Sequence, residues 1–230
     1  IPGEDWNTVM RANSAYLSRA FNMDQGFKTY VDATGSRAAW QPAGLYLAMR
    51  IPMPQKWRLH RMVGSNERYY RFANEINALT YRWLQGREDR PYFLFLNYME
   101  PHAPHLAMPG YRDLFPKSYA LQTADWDAVN RGEESFSEEQ KTILVDAYDA
   151  QVRYLDDQLK ELFDHLEKAG ALENTLVVFC SDHGDAFYEH GTLGHAMSVH
   201  EPEVWVPLII KQPGQAQGGR VTRFVGITDV

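Results

Sequence analysis

Residues 175–185 read TLVVFCSDHGD, a short apolar run that ends in two aspartates, a histidine and a glycine. The run lacks polar alternation and is too short for a typical helix. We therefore predict a β-strand over Thr175–Cys180 that is buried on both faces, as in a parallel sheet. The runs Tyr92–Tyr98 (YFLFLNY) and Val206–Ile210 (VPLII) have the same character, and Pro207 is tolerated because it stands at the start of its strand.

Helical patterns lie between these strands. Residues 66–83 place apolar side chains three and four positions apart, which predicts an amphipathic helix. Ser137 and Gln140 form a capping-box pattern, so a second helix should begin there, continue to Lys168 and end at Gly170. Its predicted inward residues are Ile143, Ala147, Val152, Leu155, Leu159, Leu162 and Leu166. A strand, a long helix and a strand indicate a right-handed βαβ unit, and thus an α/β fold with a mostly parallel central sheet flanked by helices.

The other segments carry weaker patterns. Trp6–Phe21 has rough helical spacing, residues 32–66 predict short helices and loops, and residues 111–136 predict an acidic loop. The last residues, Ile227–Val230, are typical of a strand without a closing turn. Because the chain also begins at Ile1 rather than at methionine, we expect that both ends are cut and that the domain is incomplete at its amino-terminal side.

Composition narrows the class of protein. The 230 residues are 44% hydrophobic with a net charge of −7, which is typical of a globular chain and argues against nucleic-acid binding by bulk charge. Apolar runs stay far below the roughly 20 residues that a membrane-spanning helix needs. The single cysteine, Cys180, excludes an internal disulfide and a multi-cysteine zinc site. No signal segment is visible, and the sequence leaves the compartment open.

Side chains suited to metal binding or acid–base chemistry collect after the first two apolar strands. Ligands of open α/β sheets bind beyond the carboxyl ends of the strands, so these two stretches should share one site. The candidates are Glu100, His102 and His105 after the first strand, and Asp182, His183, Asp185, Glu189, His190, His195 and His200 after the second.

The adjacent residues Asp182 and His183 form the main candidate for a metal site. A carboxylate and an imidazole suit a divalent cation, and Gly184 lets the backbone turn so that both side chains reach one ion. The alternative is that Asp182 caps a following helix while His183 is an ordinary loop histidine. A zinc site made of the four histidines in residues 183–200 is disfavoured, because their spacing of 7, 5 and 5 matches no familiar histidine pair.

A second candidate, His102, lies between Pro101 and Pro104, which restrict the backbone and therefore the direction of the imidazole. A rigid histidine at the carboxyl end of a strand can donate to an anionic oxygen or protonate a leaving group. The alternative is a turn histidine packed on Tyr98 or Tyr111.

Several segments, in the correct order along the chain, resemble the sulfatases of the alkaline phosphatase superfamily. The carboxyl-terminal metal segment of that family resembles residues 175–185, then Glu189-His190-Gly191, Gly194-His195 and Val206–Ile210. Its central Pro-His-x-Pro segment resembles residues 93–104 (FLFLNYMEPHAP), and its intervening helix resembles Tyr148–Leu159. Shorter matches are Tyr16–Ser18, Gly26-Phe27 and Ile227–Val230.

The resemblance implies an alkaline phosphatase-like three-layer sandwich that hydrolyses sulfate esters. It implies that Asp182 and His183 ligate one divalent ion, with Ca²⁺ expected first and Mg²⁺ or Mn²⁺ as alternatives. His102 would contact the ester and act as general acid, and His195 would bind the anion where many members carry lysine. Many sulfatases have asparagine in place of His183, whereas related phosphonate and phosphate diester hydrolases and phosphoglycerol transferases have Asp-His. Sulfate versus phosphate therefore stays open.

The chain departs from the family in what it lacks. It has no Cys/Ser-x-Pro-x-Arg motif, whose first residue becomes the formylglycine nucleophile, and no early Asp-Asp metal pair. We therefore expect residues 1–230 to be the central to carboxyl-terminal part of a catalytic domain that is inactive alone, with an exposed sheet edge that would permit oligomers. The intact enzyme would take a small sulfate or phosphate ester, with no nucleic acid and no membrane segment in this chain. A phosphoglycerol-type transferase and a non-catalytic binding fragment remain as alternatives.

Overall fold

The computed structural model describes residues 7–11, 25, 27–31, 71–87, 90–103, 105, 110–111, 114–115 and 126–230. The chain divides into two compact units, residues 1–100 and 101–230. The elements are β1 (Asn7–Arg11), β2 (Thr29–Val31), α1 (Ala73–Gly86), β3 (Tyr92–Leu96), α2 (Trp126–Asn130), α3 (Glu138–Lys168), β4 (Val177–Cys180), β5 (Ala186–Phe187), β6 (Leu193–Gly194), α4 (Glu201–Val204), β7 (Leu208–Lys211) and a 3₁₀ turn (Ile227–Asp229). The short helices and loops predicted over residues 32–66 lie outside the described residues.

The first unit contains a parallel sheet with the strand order β2-β1-β3. Asn7 pairs with Tyr92 and Arg11 with Leu96, and Val9 pairs with Thr29 on the other side. The parallel pairing confirms the predicted sheet type for these strands. The helical interpretation of Trp6–Phe21 is wrong over β1, because its backbone hydrogen bonds go to two neighbouring strands and not along a helix.

Strand β3 confirms the predicted strand position but not its burial on both faces. Its side chains alternate, with Phe93 and Phe95 51% and 41% exposed and the residues between them partly buried. The strand therefore packs against the protein through one face. On that face Trp83 of α1 contacts Tyr92 edge-on, with the ring centroids 5.5 Å apart. This one-sided burial corrects the prediction drawn from the continuous apolar run.

Glu100, one of the acidic residues after β3, serves helix α1 and not the candidate site. Its Oε1 accepts a hydrogen bond of 3.0 Å from the backbone N–H of Ala73, the first residue of the helix. The carboxyl is 4% exposed, and this burial raises its pKa. Because the first N–H groups of a helix have no partner inside the helix, a carboxylate there satisfies one and faces the positive end of the helix dipole.

Helix α3 begins and ends as its local sequence predicts. Ser137 Oγ accepts from the N–H of Gln140 at 3.2 Å, and Gln140 Oε1 accepts from the N–H of Ser137 at 2.8 Å, which confirms the capping box. The C-cap is Ala169, and Gly170 follows it with φ of +65°. Glycine adopts this left-handed conformation without strain, so Gly170 terminates the helix from the position after the observed C-cap, one residue beyond the cap position that the sequence predicted for it.

The buried face of α3 is slightly rotated from the prediction. Val152, predicted to point inward, is 41% exposed, and Ile143 and Leu159 are only partly buried. The buried residues are Leu144, Ala147, Ala150, Gln151, Tyr154, Leu155, Gln158, Leu162 and Leu166. Helical periodicity predicts roughly which side of the helix is buried, but the elements packed against the helix determine which individual residues are buried.

The strands β4 and β7 pair antiparallel, with Val177 opposite Lys211 and Cys180 opposite Leu208. The predicted positions of both strands are confirmed, and Pro207 precedes β7, but this pair does not follow the predicted parallel arrangement. Among the described residues these two strands form a sheet of their own, and antiparallel pairs outnumber parallel ones in proteins generally. Burial alternates along β4, so Cys180 is exposed and not the buried hydrophobic residue that the apolar run predicted. The predicted carboxyl-terminal strand is a 3₁₀ turn over Ile227–Asp229.

A small core in the second unit supports the hairpin β5–β6. Its buried residues are Val129, Phe136, Leu144 and Leu193, with Trp126, Phe187 and Tyr188 packed against them. Helix α2 lies inside residues 111–136, which were predicted to be a loop. Its last residue, Asn130, forms two hydrogen bonds with the hairpin. The side chain of Asn130 accepts from Leu193 N–H at 2.7 Å and donates to Leu193 C=O at 3.0 Å. Tertiary contacts therefore stabilise a helix of five residues that is too short to form alone.

The described helices include none with both the length and the apolar content required to cross a bilayer.

Candidate functional site

The register of the hairpin β5–β6 brings a carboxylate and a histidine together. Ala186 pairs with Gly194, so Asp185 and His195 lie just outside the first pair of the hairpin. His195 Nδ1 lies 2.7 Å from Asp185 Oδ1. The Asp185 side chain is 6% exposed and that of His195 is 28% exposed. The hydrogen bond to Asp185, more than any other interaction, raises the pKa of His195.

Three histidines from separate loops form a cluster around this pair. The ring centroids of His183 and His195 stack at 3.8 Å, and His102 lies edge-on to them at 5.9 Å and 4.9 Å. One ring nitrogen from each of the three lies within 4.8 Å of the other two. The structure thus brings together His102, His183 and His195, which stand far apart in the sequence. We call these three residues the histidine trio.

The fourth predicted site residue, Asp182, lies at the margin of the trio. Its side chain is 83% exposed, and its Oδ2 is 3.9 Å from His183 Nε2. Two ligands of one divalent ion lie about 3–4 Å apart when each bond is about 2.0–2.5 Å. The separation between Asp182 and His183 therefore fits a shared ion, although Asp182 is not part of the trio itself.

Each imidazole of the trio is held in place through its Nδ1 atom. His102 Nδ1 lies 2.6 Å from Ala103 O, and His183 Nδ1 lies 2.9 Å from Gly184 O. His195 Nδ1 contacts Asp185, as described above. Because carbonyl and carboxylate oxygens only accept hydrogen bonds, Nδ1 must donate in all three rings. In the neutral rings Nε2 is therefore the nitrogen with a free lone pair.

The loop that carries His183 is seated against helix α4. A Cβ added to Gly184 would stand 2.1 Å from the carbonyl oxygen of Pro202, so only glycine fits there. The N–H of Gly184 donates to Glu203 O at 2.8 Å. This close backbone contact positions the residues on both sides of Gly184, which are His183 and Asp185.

Glu203 anchors the segment that follows His195. It is 4% exposed and accepts from Ser198 Oγ and from the N–H groups of Met197 and Ser198. Burial alone would raise the pKa of Glu203, but these hydrogen bonds outweigh it and hold the pKa below its ordinary value. Sequence reasoning gave no role to Glu203 and no specific role to Asp185. The only signal for Asp185 was its place in the acidic run after β4.

The remaining candidate histidines are not members of the trio. His105 is packed among Trp126, Tyr148 and Phe187, and its Nδ1 is 3.1 Å from Gln151 Oε1. Burial is the main cause that lowers the pKa of His105. These contacts are typical of a structural histidine.

His190 and His200 stack on each other at 4.0 Å, and both are exposed. Among the described residues, the histidines that come together as a possible metal-binding group are those of the trio. Of the two tyrosines suggested as packing partners of His102, Tyr98 donates its hydroxyl hydrogen bond to Asn77 and Tyr111 donates its own to Asp157.

Comparisons with protein-family profiles and with curated proteins both match sulfatases. The Sulfatase family profile matches residues 5–230. Choline-sulfatase of Rhizobium meliloti (strain 1021) is 32% identical over 174 residues, which are 69% of this chain and 32% of that protein. The multifunctional alkaline phosphatase superfamily protein PehA of Trinickia caryophylli is 27% identical over 190 residues, covering 68% of this chain and 36% of PehA. The chain spans about a third of the length of these curated relatives.

Solved structures show the same fold at lower sequence identity. The phosphonate monoester hydrolase of Agrobacterium radiobacter matches with a TM-score of 0.58 and 18% identity, over 91% of this chain and 51% of that chain. Ps i-CgsB, in complex with k-i-k-neocarrahexaose, matches with a TM-score of 0.52 and 17% identity, over 91% and 45%. Because the family profile covers almost the entire sequence, the chain belongs to the sulfatase family of the alkaline phosphatase superfamily.

Proposed function

We propose that the protein is a sulfatase-type hydrolase that cleaves a small sulfate ester with the help of one divalent metal ion. The observation that supports this proposal best is the histidine trio, in which His102 meets His183 and His195 at one site of a sulfatase-family chain. Such a cluster can offer ring N–H groups as hydrogen-bond donors to one small anion and an unprotonated ring nitrogen to a metal ion. The overall fold would be the three-layer sandwich of the superfamily, of which residues 1–230 form a part.

In this proposal Asp182 and His183 hold the ion, with Ca²⁺ first and Mg²⁺ or Mn²⁺ as alternatives. Their side-chain atoms are 3.9 Å apart, and the exposed Asp182 can turn toward the ion without losing a buried contact. A bound divalent ion would stabilise negative charge on the group that is transferred. Ca²⁺ takes 6–8 oxygen ligands, so further ligands would have to come from other parts of the protein.

The other two histidines would act on the ester itself. His195 is fixed through Nδ1 by Asp185, which favours the charged imidazole and leaves Nε2–H to donate to an ester oxygen. His102 would donate to the leaving oxygen as general acid, so that the S–O bond breaks while the alcohol receives a proton. The nucleophile would be a formylglycine in a segment upstream of residue 1. The described chain alone would then be inactive, because it contains no candidate for that group.

A second candidate, a phosphonate or phosphate ester hydrolase, draws support from a different observation. The fold matches a phosphonate monoester hydrolase, and PehA is described as multifunctional. Sulfate and phosphate esters are both tetrahedral anions, so the same two imidazoles, those of His102 and His195, could contact either. A binding fragment without catalysis is the alternative from another class.

The test uses the full-length protein that contains this chain, assayed on an aryl sulfate and on an aryl phosphonate. Replacing His102 by alanine should lower turnover about 10²-fold or more, which is the usual contribution of a general acid. His190→Ala is the matched control, because His190 is an exposed histidine outside the trio. Turnover of His102→Ala equal to that of the control would remove His102 from the site. Phosphonate hydrolysis without sulfate hydrolysis would favour the second candidate.

A further inference from the structure

We propose that Glu203 is a positioning residue that sets the placement of His183 relative to His195. Its backbone carbonyl holds the loop of His183, and its side-chain carboxylate holds the segment that follows His195. The consequence for ester hydrolysis rests on the proposed function, whereas the consequence for the two imidazoles does not.

The backbone of Glu203 fixes the loop that carries His183. The N–H of Gly184 donates to the carbonyl oxygen of Glu203 at 2.8 Å. The carbonyl oxygen of the same Gly184 accepts from His183 Nδ1 at 2.9 Å. The imidazole of His183 is therefore connected to Glu203 through one peptide unit and two hydrogen bonds, and a displacement of Glu203 reaches the ring directly.

The carboxylate of Glu203 fixes the segment after His195. Its Oε2 accepts from the N–H of Met197 at 3.3 Å and of Ser198 at 3.4 Å, and its Oε1 accepts from Ser198 Oγ. Glu203 is 4% exposed, whereas Ala196 and Met197 are both exposed. Because exposed side chains contribute little packing, the position of this segment depends on its hydrogen bonds to the buried carboxylate.

The backbone between His195 and this segment has an unfavourable conformation. Ala196 has a φ of +66°, in the left-handed region, which is costly for a residue with a Cβ. Such a conformation persists only where the surrounding structure holds it. The N–H groups of the next two residues, Met197 and Ser198, both donate to Glu203 and supply that hold. Without the carboxylate, Ala196 should relax to a negative φ and move His195.

The two connections meet on one residue, although His183 and His195 lie on different loops. The stacking of their rings, with centroids 3.8 Å apart, therefore depends on where Glu203 stands. In the proposed reaction His183 holds the ion and His195 donates to the ester, so their relative placement must be accurate. A misplacement of about 1 Å can lower the rate of an enzyme about 10²-fold.

The first experiment follows the histidine rings of the full-length protein and does not use activity. Glu203→Gln keeps the shape of the side chain but removes its charge and one acceptor oxygen. In NMR spectra of the protein labelled with ¹³C-histidine, we expect this variant to shift the ring signals of both His183 and His195. The signal of His165, which lies on α3, should stay in place.

Glu201→Gln is the matched control, because Glu201 is an exposed carboxylate in the first turn of the same helix. It should leave the signals of His183 and His195 where they are in the parent. A shift of only one of these two rings, or of neither, in Glu203→Gln overturns the proposal. Equal shifts in the control also overturn it. If Glu203→Gln does not fold, Glu203→Asp replaces it, since its carboxylate is one methylene nearer the backbone.

The second experiment measures kcat/KM on an aryl sulfate at a temperature where all variants are folded. Glu203→Gln should lower kcat/KM about 10–100-fold, and Glu201→Gln should match the parent. Adding Ala196→Gly to Glu203→Gln should restore about fivefold or more, because glycine adopts the left-handed conformation without the hold of the carboxylate. The same Ala196→Gly change in the parent should give no such gain.

A kcat/KM of Glu203→Gln equal to that of the control overturns the positioning role. Loss without recovery by Ala196→Gly refutes the part assigned to the backbone of Ala196, since a general loss of structure would respond in that way. A parent protein that hydrolyses neither sulfate nor phosphonate esters rejects the proposed function. The ring signals of His183 and His195 then decide the inference by themselves.

Discussion

Replacing Gly184 by alanine tests how the site loop is held in place. An ideal Cβ at this position stands 2.1 Å from Pro202 O and 3.2 Å from Pro202 C, and both atoms belong to the backbone of α4. Real Cβ atoms do not approach closer than 3.0 Å, so the loop and α4 must separate by at least 0.9 Å. Neither side can yield by rotating a side chain. The displacement will be felt at His183 and Asp185, the two neighbours of Gly184.

The magnitude follows from two contributions. Forcing an extra carbon into a packed contact costs about 1–3 kcal/mol. The hydrogen bond of 2.8 Å from Gly184 N–H to Glu203 O is stretched or lost at the same time. A typical hydrogen bond contributes about 0.5–1.5 kcal/mol to stability. Together these effects should lower the free energy of unfolding by roughly 2–4 kcal/mol.

Urea unfolding followed by fluorescence measures this change. Gly218→Ala is the matched control, because a Cβ at Gly218 meets nothing within 4 Å and its φ is not in the left-handed region. We expect Gly184→Ala to unfold at distinctly lower urea while Gly218→Ala stays close to the parent. If the two variants differ by less than about 0.5 kcal/mol, the steric reasoning is refuted, since ordinary surface substitutions change stability by that much.

Two further predictions concern the supports of the site. Asn130→Ala removes both hydrogen bonds to the backbone of Leu193, so the N–H and C=O groups of Leu193 lose their partners. The free energy of unfolding should fall by roughly 1–3 kcal/mol, measured by chemical unfolding. Stability equal to that of the parent would contradict a stabilising role for these two hydrogen bonds. Glu203→Gln tests pH linkage: the pKa of Glu203 is lower in the folded protein, so its ionised form adds stability at neutral pH that is lost as the pH falls through the folded pKa. In thermal unfolding, parent and variant should therefore differ most at neutral pH and converge as the pH falls through the lowered pKa of Glu203. A difference that grows on acidification would show that the sign is wrong.

Features determined by neighbouring residues in the chain could be predicted from the sequence. The ends of α3 depend on Ser137 with Gln140 and on Gly170, which act within a few residues of the helix termini. The positions of β3, β4 and β7 followed from apolar runs of strand length. The rule that polar residues after strands meet at one edge predicted that histidines from two loops would come together. The folded structure then selects His102, His183 and His195 from those candidates.

Features that depend on how distant segments pack could not be predicted in the same way. The antiparallel pairing of β7, the exposed Val152 and the capping of α1 by Glu100 each depend on a partner many residues away. The same holds for the hydrogen bond between Asp185 and His195. It depends on the pairing of β5 with β6, two strands of two residues each that the pattern of apolar residues did not predict.

The sequence by itself thus determined which chemical groups are present, where the long helix starts and stops, and to which family the chain is similar. Only the tertiary structure decided which of those groups touch, that Asp182 stands at the margin while Asp185 is buried behind His195, and that Gly184 must be glycine. The physical reason is that propensity and capping act over a few residues of backbone. Hydrogen-bond partners and excluded volume are settled by atoms that meet only after the chain has folded.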